Sequence, residues 1–362
     1  MMKTTCKILA ILLFNTSCFY NDSIPPDQNV WPVANPGDLN MNTEVLMAMD
    51  SAVNIHPNEG ITSIVVVKEG SLVFENYYFG NDRSTLFDLS GVSSSLSNLA
   101  LGRAIDMGLI TSVDDSLYKY LPAFAQEFED FPLKKNITFE HLMTMKSGLS
   151  WNEFSTAFDG QENDIDRIIQ SDDWVEYLIT KPIDVLPGRR FSHNSAVPVL
   201  IAAAIENQYN DGYQSFLMKE VFGTLEVNNF DIANFRGNIN SAWGISMSTL
   251  DLAKVGYLYL KRGDWFGRQV INENYMTSSV DVQANIDYYN SFGWMWWRYS
   301  DNSNFLSLSE NDVFFAAGIG NQRLYVVPHL ELVVAITGEN EQFDFTLTAP
   351  FVLKDYILES IQ

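Results

Sequence analysis

The order of helical and strand-like segments predicts an α+β fold, in which helices flank an antiparallel sheet and a mainly helical region is inserted. Strand-like runs lie near both ends of the 362-residue chain, and the long middle section has the apolar spacing of helices. The two N-terminal strands are joined by a short turn, a connection that makes neighbouring strands antiparallel. Strands from the two ends of the chain must therefore meet in one sheet.

The domain is predicted to begin with a helix followed by a β-hairpin. Residues 43–54 have apolar side chains at helical spacing. Residues 61–68 and 71–79 have the composition of strands. Glu69-Gly70 lies between them and predicts a tight turn, because glycine readily adopts the positive φ that such turns need. This hairpin is the N-terminal contribution to the sheet.

The next helix is predicted over residues 92–107, and Gly108 ends it. Its apolar residues repeat with a helical period. Side chains three positions apart on a helix share a face. Positions 91 and 94, occupied by Gly91 and Ser94, therefore face together any cleft that this helix borders.

The remaining segments follow the same pattern. Helices are predicted over 138–145, 173–180, 196–207, 212–222 and 248–262, strands over 293–299, 313–317, 323–327 and 332–337, and a final helix over 344–361. Pro198 falls in the first turn of its helix, where proline is tolerated. The domain is expected over 43–362, with an α/β lobe formed by 43–110 and 286–362 and a helical lobe formed by 111–285.

The N-terminal 18 residues have the features of an export signal. Lys3 and Lys7 accompany a short apolar run over residues 8–14, too short to span a bilayer. Small residues precede Cys18, which predicts either lipidation of Cys18 or ordinary cleavage near it. We expect an exported protein of the periplasm or outer envelope, with residues 19–42, rich in Pro, Asn and Asp, as its tether.

The charge of the chain restricts its partners. The formal net charge is −23, and a surface of this sign repels nucleic acid and anionic lipid headgroups. Nucleic-acid binding is therefore not expected, and contact with a membrane is expected only through a lipid at Cys18. The acidic clusters are short and dispersed, which is typical of a solvated surface, although a cationic ligand is compatible with the same charge.

Seven phrases in order resemble the β-lactamase-related serine hydrolases, a group that includes class C-like β-lactamases, penicillin-binding proteins and 6-aminohexanoate-dimer hydrolase. They occupy residues 102–110, 116–122, 137–153, 187–191, 241–256, 318–328 and 332–338. The resemblance implies the β-lactamase/transpeptidase-like fold. It also implies a serine hydrolase that acts on ester or amide bonds through an acyl-enzyme.

The first catalytic motif of this family, Ser-x-x-Lys at the start of a helix, is absent. Aligning on residues 102–106 puts Gly91 at the position of the nucleophilic serine and Ser94 at that of the lysine. Ser93 or Ser94 is an alternative nucleophile, whereas serines at a helix N-terminus more often satisfy its free N–H groups. Because Ser94 carries no ammonium group, the base that activates the serine is missing as well.

The other two motifs are also altered. The family's Tyr-x-Asn or Tyr-Asn-Ser motif corresponds to His193-Asn194-Ser195, and a histidine can serve as a base at neutral pH. A lone histidine is more often structural. The family's Lys-Thr-Gly or His-x-Gly strand corresponds to Gly318-Ile319-Gly320-Asn321, with Ile319 at the basic position. Backbone N–H groups there could still line a pocket.

We therefore predict a pseudoenzyme that binds a peptide, acyl or cell-wall-like ligand without turning it over. The candidate ligand-binding residues are Ser94, His193, Asn194, Ser195, Gly318, Gly320 and Asn321. One alternative is a divergent esterase or amidase that uses Ser93 or Ser94 with His193 as base. A second alternative is a structural or interaction module with a closed cleft. Neither a cofactor nor a metal is expected, because the four histidines match no metal spacing.

Overall fold

The computed structural model describes residues 30–56, 60–153, 163–227, 229–301, 303, 305–306, 308, 312–339 and 348–362. Its helices are α1 (Thr43–Ile55), α2 (Val92–Asp106), α3 (Ala125–Asp130), α4 (Phe139–Met143), α5 (Asp164–Gln170), α6 (Trp174–Ile179), α7 (Pro198–Glu206), α8 (Tyr213–Phe216), α9 (Thr249–Leu260), α10 (Glu273–Val280) and α11 (Ala349–Val352). Short 3₁₀ turns connect several of them, and π-helical turns follow α8 and α11.

The strands are β1 (Ile61–Lys68), β2 (Ser71–Tyr77), β3 (Phe87–Asp88), β4 (Phe230–Ile232), β5 (Asn234–Phe235), β6 (Asn238–Ile239), β7 (Ile245–Met247), β8 (Asp264–Trp265), β9 (Arg268–Gln269), β10 (Ala284–Asn285), β11 (Asn290–Phe292), β12 (Trp297–Tyr299), β13 (Phe314–Ala317), β14 (Arg323–Val327) and β15 (Leu332–Gly338). The main sheet has eight antiparallel strands in the order β10-β11-β12-β13-β14-β15-β1-β2. The predicted α+β fold is confirmed, since β1 from the N-terminal part pairs with β15 from the C-terminal part.

Strand β1 shows why both faces of this sheet are covered. All eight of its residues are buried, and its side chains alternate between two cores. Val65 and Val67 join the core that contains α2 and α9, whereas Ile64 and Val66 join the core that contains α1 and α11. The β1–β2 turn is made by Glu69 and Gly70, both with positive φ, as the hairpin prediction required.

One predicted strand is shorter than expected. Residues 293–299 form a strand only at β12, because Met295 adopts φ +59°. The Met295 N–H donates to the Met143 carbonyl over 2.9 Å, and the Ser95 hydroxyl donates to the Met295 carbonyl over 2.6 Å. These bonds hold the segment against α2 and α4, so a tertiary contact overrides the strand-like composition. The predicted final helix begins at Ala349, and residues 344–347 lie outside the described ranges.

The segment 30–42 lies against the domain, although its composition predicted a tether. Trp31 is 3% exposed and meets the Tyr257 ring edge-on, with 5.6 Å between the ring centroids. Val33 bridges to Leu72 on the edge strand β2, and Met41 bridges to Ile361. The segment therefore protects a sheet edge and joins the two ends of the domain. Cys18 and the rest of residues 1–29 lie outside the described part of the chain.

Helix α9 packs on the main sheet, although the sequence placed it in the helical lobe. Gly256 on α9 lies so close to Val333 and Leu324 that a Cβ atom there would come within 2.7 Å of both side chains. The interface between this helix and the sheet is therefore made possible by a missing side chain. Within the described ranges, no helix combines the length and apolar character needed to cross a bilayer.

Candidate functional site

The turn between β3 and α2 is the centre of the candidate site. Ser90 has φ +48°, and the next residue, Gly91, is the N-cap of α2. The Ser90 N–H donates to Asp88 Oδ1 over 2.8 Å, and the Ser90 hydroxyl accepts from the Ile319 N–H over 3.2 Å. The first bond shapes the turn after β3, and the second ties the start of α2 to the segment that follows β13.

Gly91 lies in direct contact with the end of β13. A Cβ atom built on Gly91 would lie 2.6 Å from the Ala317 carbonyl oxygen, closer than such atoms approach in real structures. The contact is reciprocal, because a Cβ atom on Gly318 would lie 2.5 Å from the Leu89 carbonyl oxygen and 3.0 Å from the Gly91 nitrogen. Two backbones thus occupy the space that a side chain at position 91 would need.

The two serines considered as alternative nucleophiles are both engaged in packing. Ser93 is fully buried, and its hydroxyl accepts from the Ile245 N–H on β7 over 3.1 Å. Ser94 is partly buried, and its hydroxyl donates to the Ala242 carbonyl over 3.2 Å. Both hydroxyls are therefore bonded to backbone groups of the described residues.

His193 is held by a buried carboxylate that the sequence analysis did not single out. Glu153 is 5% exposed, and its Oε1 lies 2.5 Å from His193 Nδ1. The same oxygen accepts from the Ser195 hydroxyl over 2.9 Å. Its Oε2 accepts from the Ser195 N–H over 3.0 Å and from the Trp151 indole over 2.6 Å. Four donors therefore converge on one carboxylate and fix the turn before α7.

The electrostatics of Glu153 follow from this convergence. Burial alone raises the pKa of the Glu153 carboxyl. The hydrogen bond and charge of His193 oppose that effect, together with the hydrogen bonds from Ser195 and Trp151, and hold the pKa below its ordinary value. The imidazole also stacks on Trp297, with 6.0 Å between ring centroids and 25° between planes. His193 thus has a fixed orientation.

Asn194 combines a structural bond with an unsatisfied group. Its side-chain oxygen accepts from the Ala196 N–H over 3.0 Å, which shapes the turn that leads into α7. Its side-chain nitrogen is buried and has no hydrogen-bond partner among the described residues, although Asn194 is only 2% exposed. A buried amide group without a partner costs about 1–3 kcal/mol.

The segment after β13 separates into two parts. Ile319 is 56% exposed and follows Gly318, beside the start of α2. Asn321 is directed away from that position, because its side-chain oxygen accepts from the Ala349 N–H over 3.1 Å at the start of α11. The Gln322 side-chain nitrogen donates to the Gly338 carbonyl over 2.5 Å at the end of β15, beside Gly320. Ser90, Gly91, Gly318 and Ile319 therefore lie together, whereas Asn321 supports the C-terminal helix.

No described lysine is hydrogen-bonded at the start of α2, where the family resemblance places one. Each lysine in the described ranges is held by a carboxylate or a backbone carbonyl outside residues 90–95 and 193–195. The partners are Glu69 for Lys68, Asp115 for Lys119, Glu127 for Lys134, Glu129 for Lys135, Gln283 for Lys146, Asp164 for Lys181, Asp211 for Lys219, Asp251 for Lys254, Glu331 for Lys261 and Asp355 for Lys354. Within the same ranges, no group of His, Cys, Asp and Glu side chains is arranged to hold a metal ion.

Comparison with known proteins identifies the family. The family model described as Beta-lactamase matches residues 59–353. The chain belongs to the β-lactamase family. This is a family of serine hydrolases, and the match confirms the resemblance seen in the seven phrases.

Solved structures show the same β-lactamase fold. EstCE1, a hydrolase with promiscuous acyltransferase activity, superposes with a TM-score of 0.69 at 16% identity, covering 88% of this chain and 98% of that one. The octameric penicillin-binding protein homologue from Pyrococcus abyssi superposes with a TM-score of 0.66 at 18% identity, covering 87% of this chain and 76% of that one. A class C β-lactamase in complex with cefoxitin superposes with a TM-score of 0.65 at 13% identity, covering 90% of this chain and 99% of that one. At these identities the likeness is one of fold.

Glu153 is the site residue of this β-lactamase-family protein that sequence reasoning missed. The phrase Trp151-Asn152-Glu153 was part of the family resemblance, but no role was assigned to it. The sequence alone gives no local signal for this role, because a carboxylate is costly to bury unless donors reach it. Three of the four donors come from residues 193 and 195, which only the folded chain brings near.

Proposed function

We propose that this β-lactamase-family protein does not carry out serine acyl transfer and instead binds a peptide, acyl or cell-wall-like ligand without turnover. One observation carries the proposal: the Ala317 carbonyl oxygen lies 2.6 Å from where a Cβ atom of residue 91 would be. The position that the family resemblance assigns to the nucleophile therefore lacks a hydroxyl group and also lacks room for one.

The loss of the base supports the same conclusion. Acyl transfer by serine needs a group that removes the hydroxyl proton, and Ser94 has no basic nitrogen. The described lysines are held elsewhere, and the Ser94 hydroxyl donates to the Ala242 carbonyl. Removing a nucleophile or base from a serine hydrolase costs several orders of magnitude in rate. Background hydrolysis is therefore expected to be negligible.

A retained binding role is supported by the turn before α7. Asn194 keeps a buried side-chain nitrogen with no partner among the described residues, and the Glu153 network holds this turn in one conformation. A ligand carbonyl that accepts from Asn194 would remove the cost of the unpaired amide. An acyl or peptide ligand offers such carbonyls, and two of the similar structures are named as a penicillin-binding protein homologue and a class C β-lactamase in complex with cefoxitin.

The proposed location is the bacterial envelope. The support comes from the N-terminal sequence, in which Lys3 and Lys7 accompany an apolar run and small residues precede Cys18. Expression with a C-terminal epitope tag and fractionation of the cells tests this proposal. The wild type is expected in the membrane fraction. The Cys18→Ala variant is expected as soluble exported protein or as the uncleaved precursor. Recovery of both in the cytosol would contradict export.

The primary test is intact-mass analysis of the folded protein after treatment with a fluorophosphonate and, separately, with penicillin. No adduct is expected with either reagent, whereas an active class C β-lactamase treated in parallel should gain one. Circular dichroism and a cooperative thermal transition establish that the protein is folded. A stoichiometric adduct on Ser93 or Ser94 would contradict the proposal and favour the divergent esterase.

Reconstruction of the family motif gives a sharper test of the site. Gly91→Ser alone is expected to stay inactive because the base is absent. The double variant Gly91→Ser with Ser94→Lys restores both residue types, but the serine Cβ would still meet the Ala317 oxygen. We expect it to show no hydrolysis of a chromogenic cephalosporin and reduced stability. Robust turnover by the folded double variant would show that the site is not closed at position 91.

Ligand binding needs its own measurement, because absence of an adduct does not demonstrate it. An N-acylated D-alanyl-D-alanine peptide is a suitable probe, since it has acyl and peptide carbonyls. The wild type is expected to bind it, and Asn194→Asp, which keeps the oxygen cap but removes the N–H donor, should bind it at least fivefold more weakly. Equal binding by the two proteins, or none by the wild type, would contradict the proposed contact.

A further inference from the structure

A cavity of about 320 Å³ lies away from the α2 turn, between α6, α7 and the β5–β6 hairpin. Its volume is at the lower end of the range for small-molecule sites. The lining residues are Asp172, Asp173, Val175, Val199, Ala202, Ala203, Glu206, Arg236, Gly237, Asn238 and Ile239. None of the residues discussed for acyl transfer belongs to this set, so the cavity is a separate feature of the fold.

One face of α7 forms the apolar floor. Val199, Ala202, Ala203 and Glu206 are spaced by three, one and three positions, which puts them on one side of the helix. With a rise of about 1.5 Å per residue, these seven steps extend the floor by about 10 Å. The small side chains of Ala202 and Ala203 leave space above the helix, and Glu206 places a carboxylate at its C-terminal end.

The opposite wall is held in place by hydrogen bonds and stacked rings. The side-chain oxygen of Asn238 accepts from the Trp174 N–H over 2.9 Å, and its nitrogen donates to the Asp172 carbonyl over 3.0 Å. The Trp174 ring stacks on Phe235 and on Trp243, with centroid distances of 5.8 and 5.4 Å. The hairpin is thereby fixed to the start of α6, and the cavity is preformed.

The charges that line the cavity are mainly negative. Three carboxylates, those of Asp172, Asp173 and Glu206, accompany one guanidinium, that of Arg236. Arg236 donates to the Gln170 carbonyl over 2.9 Å and lies 3.7 Å from the Asp172 carboxylate. Among the described residues, neither Asp173 nor Glu206 forms an ion pair. Two carboxylates at the cavity are thus left without a cation.

We propose that this cavity binds a small aliphatic ammonium ion. Its apolar floor, formed mainly by Val199, Ala202 and Ala203, suits a short methylene chain, and Asp173 and Glu206 suit ammonium groups. The overall charge of −23 raises the local concentration of cations and repels anions. Arg236 does not reverse this preference, because it is already engaged by Gln170 and Asp172.

The test uses four probes of one chain length: 1,5-diaminopentane, pentylamine, pentan-1-ol and pentanoate. Binding to the full-length protein is followed by ligand-observed NMR titration at pH 7 and low salt. The diamine is expected to bind most tightly, the monoamine about two- to fivefold more weakly, and the alcohol and the acid weakest, since each exposed ion pair contributes about this factor. Raising the salt concentration should weaken the two amines and leave the alcohol unchanged.

Charge-removing variants locate the site. Glu206→Gln and Asp173→Asn should each weaken diamine binding about two- to fivefold, and asparagine at 173 preserves the helix cap that Asp173 provides to Glu176. Glu176→Gln is the matched control, because Glu176 is exposed on α6 but does not line the cavity. It should bind like the wild type.

A blocking variant tests whether the cavity itself is used. Ala203→Phe fills the space above α7 and should abolish binding of the diamine. If this variant does not fold, the charge-removing variants still decide the question. Equal affinities for pentanoate and the diamine would overturn the proposal, as would wild-type affinity in both Glu206→Gln and Asp173→Asn. These outcomes are independent of whether the α2 site binds an acyl ligand.

Discussion

Replacing Glu153 with glutamine tests whether the buried carboxylate organises the turn before α7. Glutamine has the same shape but only one acceptor oxygen. The Ser195 N–H and the Trp151 indole can only donate, so the remaining oxygen should stay with them. The new NH₂ group then faces His193 Nδ1 and the Ser195 hydroxyl, both of which can accept. The variant can therefore keep its contacts while losing the negative charge.

The expected cost follows from the difference between charged and neutral hydrogen bonds. A bond to a charged group contributes about 1.5–3 kcal/mol and a neutral one about 0.5–1.5 kcal/mol. Four hydrogen bonds lose charge assistance, and the variant no longer has to desolvate a carboxylate, which offsets part of the loss. We expect Glu153→Gln to lower the free energy of unfolding by about 1–3 kcal/mol. Glu153→Ala leaves the donors unpaired and should cost about 3–5 kcal/mol.

The effect of Glu153→Gln must also depend on pH. The pKa of the Glu153 carboxyl is held below its ordinary value by His193, Ser195 and Trp151, which outweigh burial. A lowered pKa stabilises the fold fully above the unfolded value of about 4.3, and the stabilisation is lost as the pH falls through the folded value. The difference between wild type and variant should therefore be largest near pH 7 and shrink below about pH 4.

Urea unfolding at pH 7, 5 and 3.5 measures this difference at constant m-value. Glu129→Gln is the control, because the Glu129 side chain is 68% exposed and pairs with Lys135 on the surface. It should change the free energy of unfolding by less than about 0.5 kcal/mol. A Glu153→Gln protein as stable as the wild type at pH 7 would refute the proposed network. So would a loss of stability that does not change between pH 7 and pH 3.5.

Three further predictions concern the packing of Gly91, the N-terminal segment and the carboxyl group of Asp115. Gly91→Ala should lower the free energy of unfolding by about 1–3 kcal/mol, because its Cβ meets the Ala317 oxygen, whereas Gly37→Ala, with no atom within 4 Å, should be neutral in the same urea titration. Trp31→Ala should cost about 3–5 kcal/mol if segment 30–42 belongs to the domain, and limited proteolysis should then release that segment first. Lys119 and Tyr120 lower the pKa of Asp115 to about 2, so the stability lost in Asp115→Asn at pH 7 should disappear as unfolding is measured closer to pH 2.

The parts of the fold that the sequence predicted are those set by local rules. The β1–β2 hairpin followed from two apolar runs and a Glu-Gly turn, and α2 followed from its helical period and a glycine stop. The strand over 293–299 failed because Met295 is bent by bonds to residues distant in the chain. Segment 30–42 has the composition of a linker, but one buried tryptophan, Trp31, anchors it. Neither contact has a local signal.

The candidate site likewise has parts that local sequence patterns predict and parts that depend on contacts between distant segments. Alignment on neighbouring residues predicted positions 91, 94, 193 and 319, and the structure places Gly91 against Gly318, beside Ile319. The role of Glu153 and the cavity beside α7 could not be predicted, because each is assembled from segments far apart in sequence. Asn321 was predicted as a ligand-binding residue, but its side-chain oxygen caps α11, a partner that becomes visible only once the C-terminal helix is placed.

The pair Gly91 and Gly318 bears on the proposal that this chain does not carry out serine acyl transfer. A missing nucleophile with open space around it could be restored by one substitution. Here the absent side chain at each position lets the two backbones touch: the Ala317 oxygen lies 2.6 Å from the Cβ position of residue 91, and the Leu89 oxygen lies 2.5 Å from that of residue 318. Serine at 91 would have to push β13 away from α2 and disturb the Ile319 to Ser90 bond. The contact between α2 and β13 is therefore a structural barrier to regaining the nucleophile, in addition to the missing base.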